Sequence, residues 1–127
     1  MRVAGRVGWA PRAPEAPTLI YDSDCAFCRR WVARAQRLDA RSVVRTLPLQ
    51  HEAASRVSGQ PVTRLRQAVH FVRGDGEVFA GAAAVRELSQ HLRGGWVVRA
   101  VAALPGVMPV AERAYERIAR RWGPVVV

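Results

Sequence analysis

The chain contains no lysine: all 20 of its basic residues are arginine, set against 10 acids, for a formal net charge of +10. Cysteine is almost absent as well, with only Cys25 and Cys28 in 127 residues. Two thiols this close in sequence cannot staple a small secreted fold, which excludes a disulfide framework. No apolar run is long enough to span a bilayer. The nearest, "WVVRAVAALPGVMPVA", is broken by Arg99, Pro105 and Pro109. The opening "MRVAGRVGWAPRAPEAP" lacks the apolar stretch of a secretory signal, so a cytoplasmic location is expected. Histidine is sparse too. His51, His70 and His91 are widely spaced, without the second paired motif that a zinc site on the cysteines would need. Haem attachment is excluded because Arg29 follows Cys28. No metal and no cofactor are expected.

The positive balance favours anionic partners at long range. The arginines, however, are scattered along the whole length, without aromatic platforms or a compact basic cluster. They read as solvated helix faces, and no nucleic-acid partner is predicted.

What is present is enough for one domain that buries about two thirds of its unfolded surface. Residues 1–17 are rich in Ala, Pro, Arg and Gly without periodicity, and are expected as a disordered N-terminal tail. "PTLIYD" is a short apolar run that reads as a buried strand. Phe27, Cys28, Trp31, Val32, Ala35 and Leu38 then recur at helical spacing, with Asp24 placed to cap the helix start. "SVVRTLPL" predicts a second strand, "HEAASRV" a short helix, and "QAVHFVRGDGEVFAG" a hairpin turning at "GDG". Residues 82–93 predict a helix ended by Gly94-Gly95. A further apolar helix covers about 96–104, and a last helix starts near Pro109. The tryptophans and the Phe71/Phe79 pair fall at core spacing and read as packing. Residues 123–127 are expected as a C-terminal tail.

Strand–helix–strand followed by strand–strand–helix is the minimal thioredoxin-like plan, an α/β fold. The expectation is a central mixed sheet of about four strands flanked by helices, with extra C-terminal helices, over residues 18–122. That plan sets "YDSDCAFCRR" at the junction of the first strand and first helix. A thiol there faces unpaired backbone N–H groups and the positive end of the helix dipole, both of which favour the reactive thiolate. The reading makes Cys25 the exposed nucleophile and Cys28, one turn deeper, the resolving thiol. Arg29, four residues after Cys25, is expected beside that thiol and to lower its pKa. Asp22 and Asp24 oppose it; Asp24 serves as the helix cap, and Asp22 as a buried proton acceptor for Cys28.

"YDSDCAFCRR" after an apolar strand resembles the signature of the thiol-disulfide oxidoreductase family called DCC, named for an Asp-x-x-Cys-x-x-Cys motif matched by Asp22, Cys25 and Cys28. "RTLPLQ" resembles that family's second strand and Pro-x-Gln segment, "AVHFVRGDGEVFAGAAAVREL" its hairpin and helix, and "AYERIARRW" its C-terminal Tyr-x-x-Ile-Ala-Arg ending. Trp122 stands where that ending usually continues to another arginine. The resemblance covers about residues 18–122. It implies a thioredoxin-like fold and dithiol–disulfide exchange with protein or small-molecule thiols and disulfides as partners. By position, Cys25 would be the nucleophile, Cys28 the resolving thiol and Asp22 the motif acid. The competing expectation is a non-catalytic binding or redox-sensing module with a basic surface.

Overall fold

A computed structural model describes residues 5–39 and 41–122. The strands are β1 (Gly5–Trp9), β2 (Thr18–Tyr21), β3 (Arg45–Pro48), β4 (His70–Val72) and β5 (Glu77–Ala80). The helices are α1 (Ala26–Leu38), α2 (Ala53–Ser58), α3 (Val62–Leu65), α4 (Ala82–Ser89), α5 (Gly95–Ala102) and α6 (Val107–Trp122). The strands form one sheet in the order β1-β5-β4-β2-β3. Only β2 and β3 run parallel, with α1 as their crossover; the other three pairings are antiparallel. This mixed sheet with its helices is consistent with a thioredoxin-like fold.

Successive residues of a strand point to opposite faces, and here both faces are covered, which is why "TLI" is apolar without alternating. Leu19, Phe71 and Phe79 pack with Val32 and Ala35 of α1 and Ala83, Ala84 and Leu88 of α4. Ile20, Val72 and Val78 pack on the other face with Leu49, Ala54 of α2 and Leu65. Phe71 and Phe79 are register partners, each at most 1% exposed. Each such side chain contributes about 1.5–3 kcal/mol by its burial. The expected packing role therefore holds for the phenylalanines. It does not hold for Trp9 and Trp96, which are 62% and 74% exposed; helical or strand spacing alone does not say which face meets the sheet. The Trp122 side chain lies outside the described residues.

The largest departure from expectation is β1. Gly5–Trp9 is a strand rather than part of a loose tail, paired antiparallel with β5 with a bulge between Arg6 and Gly8. "GRVGW" has little strand propensity of its own. Its order comes from the unpaired edge of β5, whose backbone groups it satisfies. Residues 10–17 contain no helix or strand, and 1–4 and 123–127 lie outside the described residues.

The hairpin turns at the predicted place, and a charge cluster fixes it. Arg73 donates to Asp75 at 2.6 and 3.0 Å, to Glu77 at 2.9 Å and to Glu87 of α4 at 3.2 Å. Its guanidinium carbon also lies 5.2 Å from the centroid of the Phe79 ring. The Arg73 hydrogen bond holds the Asp75 carboxyl down at about 2. Helix α4 ends at Ser89, short of the expected 93, because the chain must bend there for Gly95 to pack on it. A side chain at Gly95 would overlap the Ser89 carbonyl. At its other end, α4 begins after Gly81 (φ +68°), and a Cβ there would stand 2.9 Å from Glu112 Oε2. Glu112 Oε1 accepts the Ala83 N–H at 3.0 Å, so an α6 carboxylate occupies the positive end of α4.

His70 is fully buried beside Ile20 and Ala80. Its Nδ1 is 2.9 Å from the Ala68 carbonyl, while Nε2 has no hydrogen-bond partner among the described residues. Burial pulls its pKa below the ordinary value of 6.5, and the nearby Arg64 charge acts the same way. A folded-state pKa below the unfolded one means the unfolded chain takes up the proton first. The ring's contribution is therefore complete above about pH 6.5 and is lost as pH falls from there towards the folded-state pKa. Urea denaturation between pH 7.5 and 5 should show this loss, at most about 1.4 kcal/mol per pH unit from this one group, and His70→Leu should flatten it.

Candidate functional site

Helix α1 starts one residue later than the sequence suggests, and the residue at its cap is different. Cys25, with extended backbone (φ −91°, ψ 115°), is the N-cap, and its sulfur accepts the Cys28 N–H at 3.2 Å. Asp24 does not cap the helix. Its carboxylate Oδ2 instead accepts from Gln50 Nε2 at 3.2 Å. The first turn contains no acid, so nothing there competes with the sulfur for the unpaired N–H groups.

The chain reaches Cys25 through a turn in which the Cys25 N–H donates to the Asp22 carbonyl at 3.2 Å. Gln50 clamps that turn. Its Oε1 accepts from the Ser23 N–H at 3.1 Å and the Ser23 hydroxyl at 2.9 Å. Its Nε2 donates to Asp22 Oδ1 at 2.6 Å, an oxygen that also accepts the Asp24 N–H at 2.9 Å. The parallel ladder puts Gln50 there: Tyr21 faces Pro48, and the Leu49 N–H donates to the Tyr21 carbonyl at 2.8 Å, so residue 50 leaves the sheet beside the turn. Sequence reasoning named no role for Gln50. Its signal was positional, as the first amide side chain past the strand that pairs with β2.

The exposure of the two thiols is the reverse of the expectation. Cys25 is 2% exposed and Cys28 is half-buried. The cause is the cap: a sulfur that accepts the Cys28 N–H must turn under the end of the helix. Burial pushes the Cys28 thiol up to about 12. The Cys25 side chain, by hydrogen bonding and by charge, and the Asp22 carboxylate add to that rise, while a backbone hydrogen bond to Asp22 opposes it. Arg29 sends its guanidinium back across the turn to the Ser23 carbonyl. Asp22, expected to be buried, is partly exposed, with Oδ1 engaged by two donors. No disulfide joins Cys25 to Cys28.

The three histidines stay apart from the pair. His51 is exposed, and its Nδ1 accepts the Ala53 N–H at 3.0 Å at the start of α2. His91 follows α4 with its ring tilted 43° to Phe71 at 6.1 Å. Among the described residues, no three His, Cys, Asp or Glu side chains come together as metal ligands.

Two cysteines one helical turn apart thus stand at the start of α1, just after the acidic turn that leaves β2. The sequence profile of the DCC1-like thiol-disulfide oxidoreductases matches residues 19–122. The chain belongs to that family. Comparison with curated proteins and with solved structures gave no match. The match takes in the cysteine turn, the hairpin and the whole of α6, so the last helix is part of the family unit. No helix among the described residues is long and apolar enough to cross a membrane.

Because the Asp22 charge is one cause of the raised Cys28 thiol, Asp22→Asn should lower it while burial, the larger cause, remains. Alkylation of Cys28 by iodoacetamide at pH 8, followed by peptide mass spectrometry, should become roughly threefold faster, matching a downward shift of about half a pH unit. An unchanged or slower rate would show that Asp22 does not act on this sulfur through its charge.

Proposed function

We propose that this protein is a dithiol–disulfide oxidoreductase in which Cys25 attacks and Cys28 resolves. The observation that carries the reading is the Cys25 sulfur seated at the N-terminus of α1, 3.2 Å from the Cys28 N–H. A thiolate there gains from a backbone donor and from the helix dipole. The Cys25 thiolate displaces one sulfur of a substrate disulfide, forming a mixed disulfide and releasing a substrate thiolate that takes up a proton. Cys28, after losing its proton, attacks the Cys25 sulfur. The Cys25–Cys28 bond forms, the second substrate thiolate leaves, and two electrons have passed from the pair to the substrate. The reverse sequence oxidises a substrate dithiol.

Asp22 is the acid in the motif, and a carboxylate beside Cys28 suits the role of accepting its proton as it resolves. Asp24 holds the turn through Gln50. Arg29, bound at the Ser23 carbonyl, adds positive charge to the same turn. The partners are protein or small-molecule thiols and disulfides, and a cysteine pair that opens and closes reversibly suits the reducing cytoplasm. Because Cys25 is almost sealed, the Gln50-clamped turn is the part that must yield for a protein disulfide to reach it. That same burial favours a second reading, a redox-sensing module whose pair closes without turnover.

Insulin reduction driven by dithiothreitol separates the two. The exchange reading expects turnover in the wild type, its abolition by Cys25→Ser, and trapped mixed disulfides on non-reducing gels with Cys28→Ser. A reversible Cys25–Cys28 disulfide without any turnover would leave the sensing module.

A further inference from the structure

Two side chains of helix α6, one turn apart, hydrogen-bond the rest of the fold, while Met108 packs against the core beside them. Glu112 accepts the Ala83 N–H at the start of α4, and the Tyr115 hydroxyl oxygen accepts the Val69 N–H at 2.7 Å. Val69 immediately precedes β4. In the antiparallel register Ile20 faces His70, so Val69 falls opposite Tyr21, at the sheet end where the chain turns through Asp22 into the cysteine pair. Tyr115 packs against the same cluster as Tyr21 and Trp31. Its phenol is thus delivered by the last helix to the sheet end from which α1 begins.

The electrostatics agree with this placement. Burial drives the Tyr115 phenol well above its ordinary pKa, and the charges of Cys28, Glu112 and Cys25 add to the rise, Cys28 most and Cys25 least, while the Val69 N–H opposes it. The hydroxyl therefore stays protonated at any working pH. With Val69 donating to its oxygen, its own proton is left to point elsewhere. The charged groups acting on Cys28 are Cys25 and Asp22, both of which make its thiolate harder to form. A neutral O–H donor works in the opposite sense.

We propose that Tyr115 is a positioning residue for the exchange, its hydroxyl held by Val69 so that its proton faces the cysteine pair and steadies Cys28 as it becomes a thiolate. The assignment rests on the exchange reading above and deepens its second step. In that step the Cys28 proton passes to Asp22, the Cys28 electron pair attacks the Cys25 sulfur, and the substrate thiolate departs; the phenol acts through its O–H dipole and is not itself consumed.

The test is the alkylation rate of Cys28 by iodoacetamide at pH 8–9.5 in a Cys25→Ser background, a readout that requires no turnover. Tyr115→Phe should slow alkylation about tenfold, the equivalent of about one pH unit in the thiol, and should slow resolution of a preformed mixed disulfide to a similar extent in the chain with both cysteines. In urea, the two proteins should alkylate alike. A lower melting temperature with an unchanged alkylation rate would mean that Tyr115 only braces Val69, and would overturn the proposal. If the phenylalanine variant does not fold, 3-fluorotyrosine at position 115 keeps the shape and strengthens the O–H donor. Alkylation should then be faster, and an unchanged rate overturns the proposal equally. A chain that shows these shifts but never reduces a disulfide would sink the exchange reading and leave the Tyr115–Cys28 coupling standing.

Discussion

One hydrogen bond, from the Cys28 N–H to the Cys25 sulfur, begins helix α1 and positions the chemistry together. A helix must satisfy its first N–H groups from outside its own ladder, and oxygen side chains usually do this. Here sulfur takes the place, although Asp24 stands one residue earlier and could have served. The consequences run outwards. The sulfur turns inward and is sealed, and its partner is left nearer the surface but in a setting that resists ionisation. The acids freed from capping are gathered by Gln50 instead.

That arrangement divides the site between rigidity and access. The parallel β2–β3 ladder fixes Gln50, Gln50 fixes the turn, and the turn fixes Cys25. Each bond to a neutral group is worth about 0.5–1.5 kcal/mol net, and those from Gln50 to the aspartate carboxylates about 1.5–3 kcal/mol before solvent exposure weakens them. A turn held by a few such bonds on an exposed surface can open far more readily than the sheet beneath it.

Where the sequence was legible, local chemistry and tertiary demand agreed. "TLIY", the hairpin around "GDG" and the stripe of α1 each carried a period or a turn signal that the fold then used. Where it was not legible, the decisive partner was remote. Gly5–Trp9 became a strand because β5 offered an open edge, which nothing in "GRVGW" discloses. Trp9 and Trp96 looked like core by type but face outward, because hydrophobicity identifies a side chain and not the surface it meets. Within the site, the C-x-x-C and its place before a helix could be read directly. The choice of sulfur over carboxylate as cap is local, but Cys25 and Asp24 both stand where a cap could form and spacing does not choose between them; the Gln50 clamp and the arrival of Tyr115 from α6 are contacts between residues far apart in the chain.

The docking of Glu112 over Gly81 carries a consequence for how such a chain can vary. The carboxylate approaches the α4 terminus along a path that a single methyl group at 81 would obstruct. The two positions, distant in sequence, are thus linked: a side chain at 81 would push aside the carboxylate that holds the α4 terminus, and the last helix would then lose that hold. The positive φ at Gly81 favours glycine on its own account, so the acid at 112 has its open path to the α4 terminus wherever that glycine is kept.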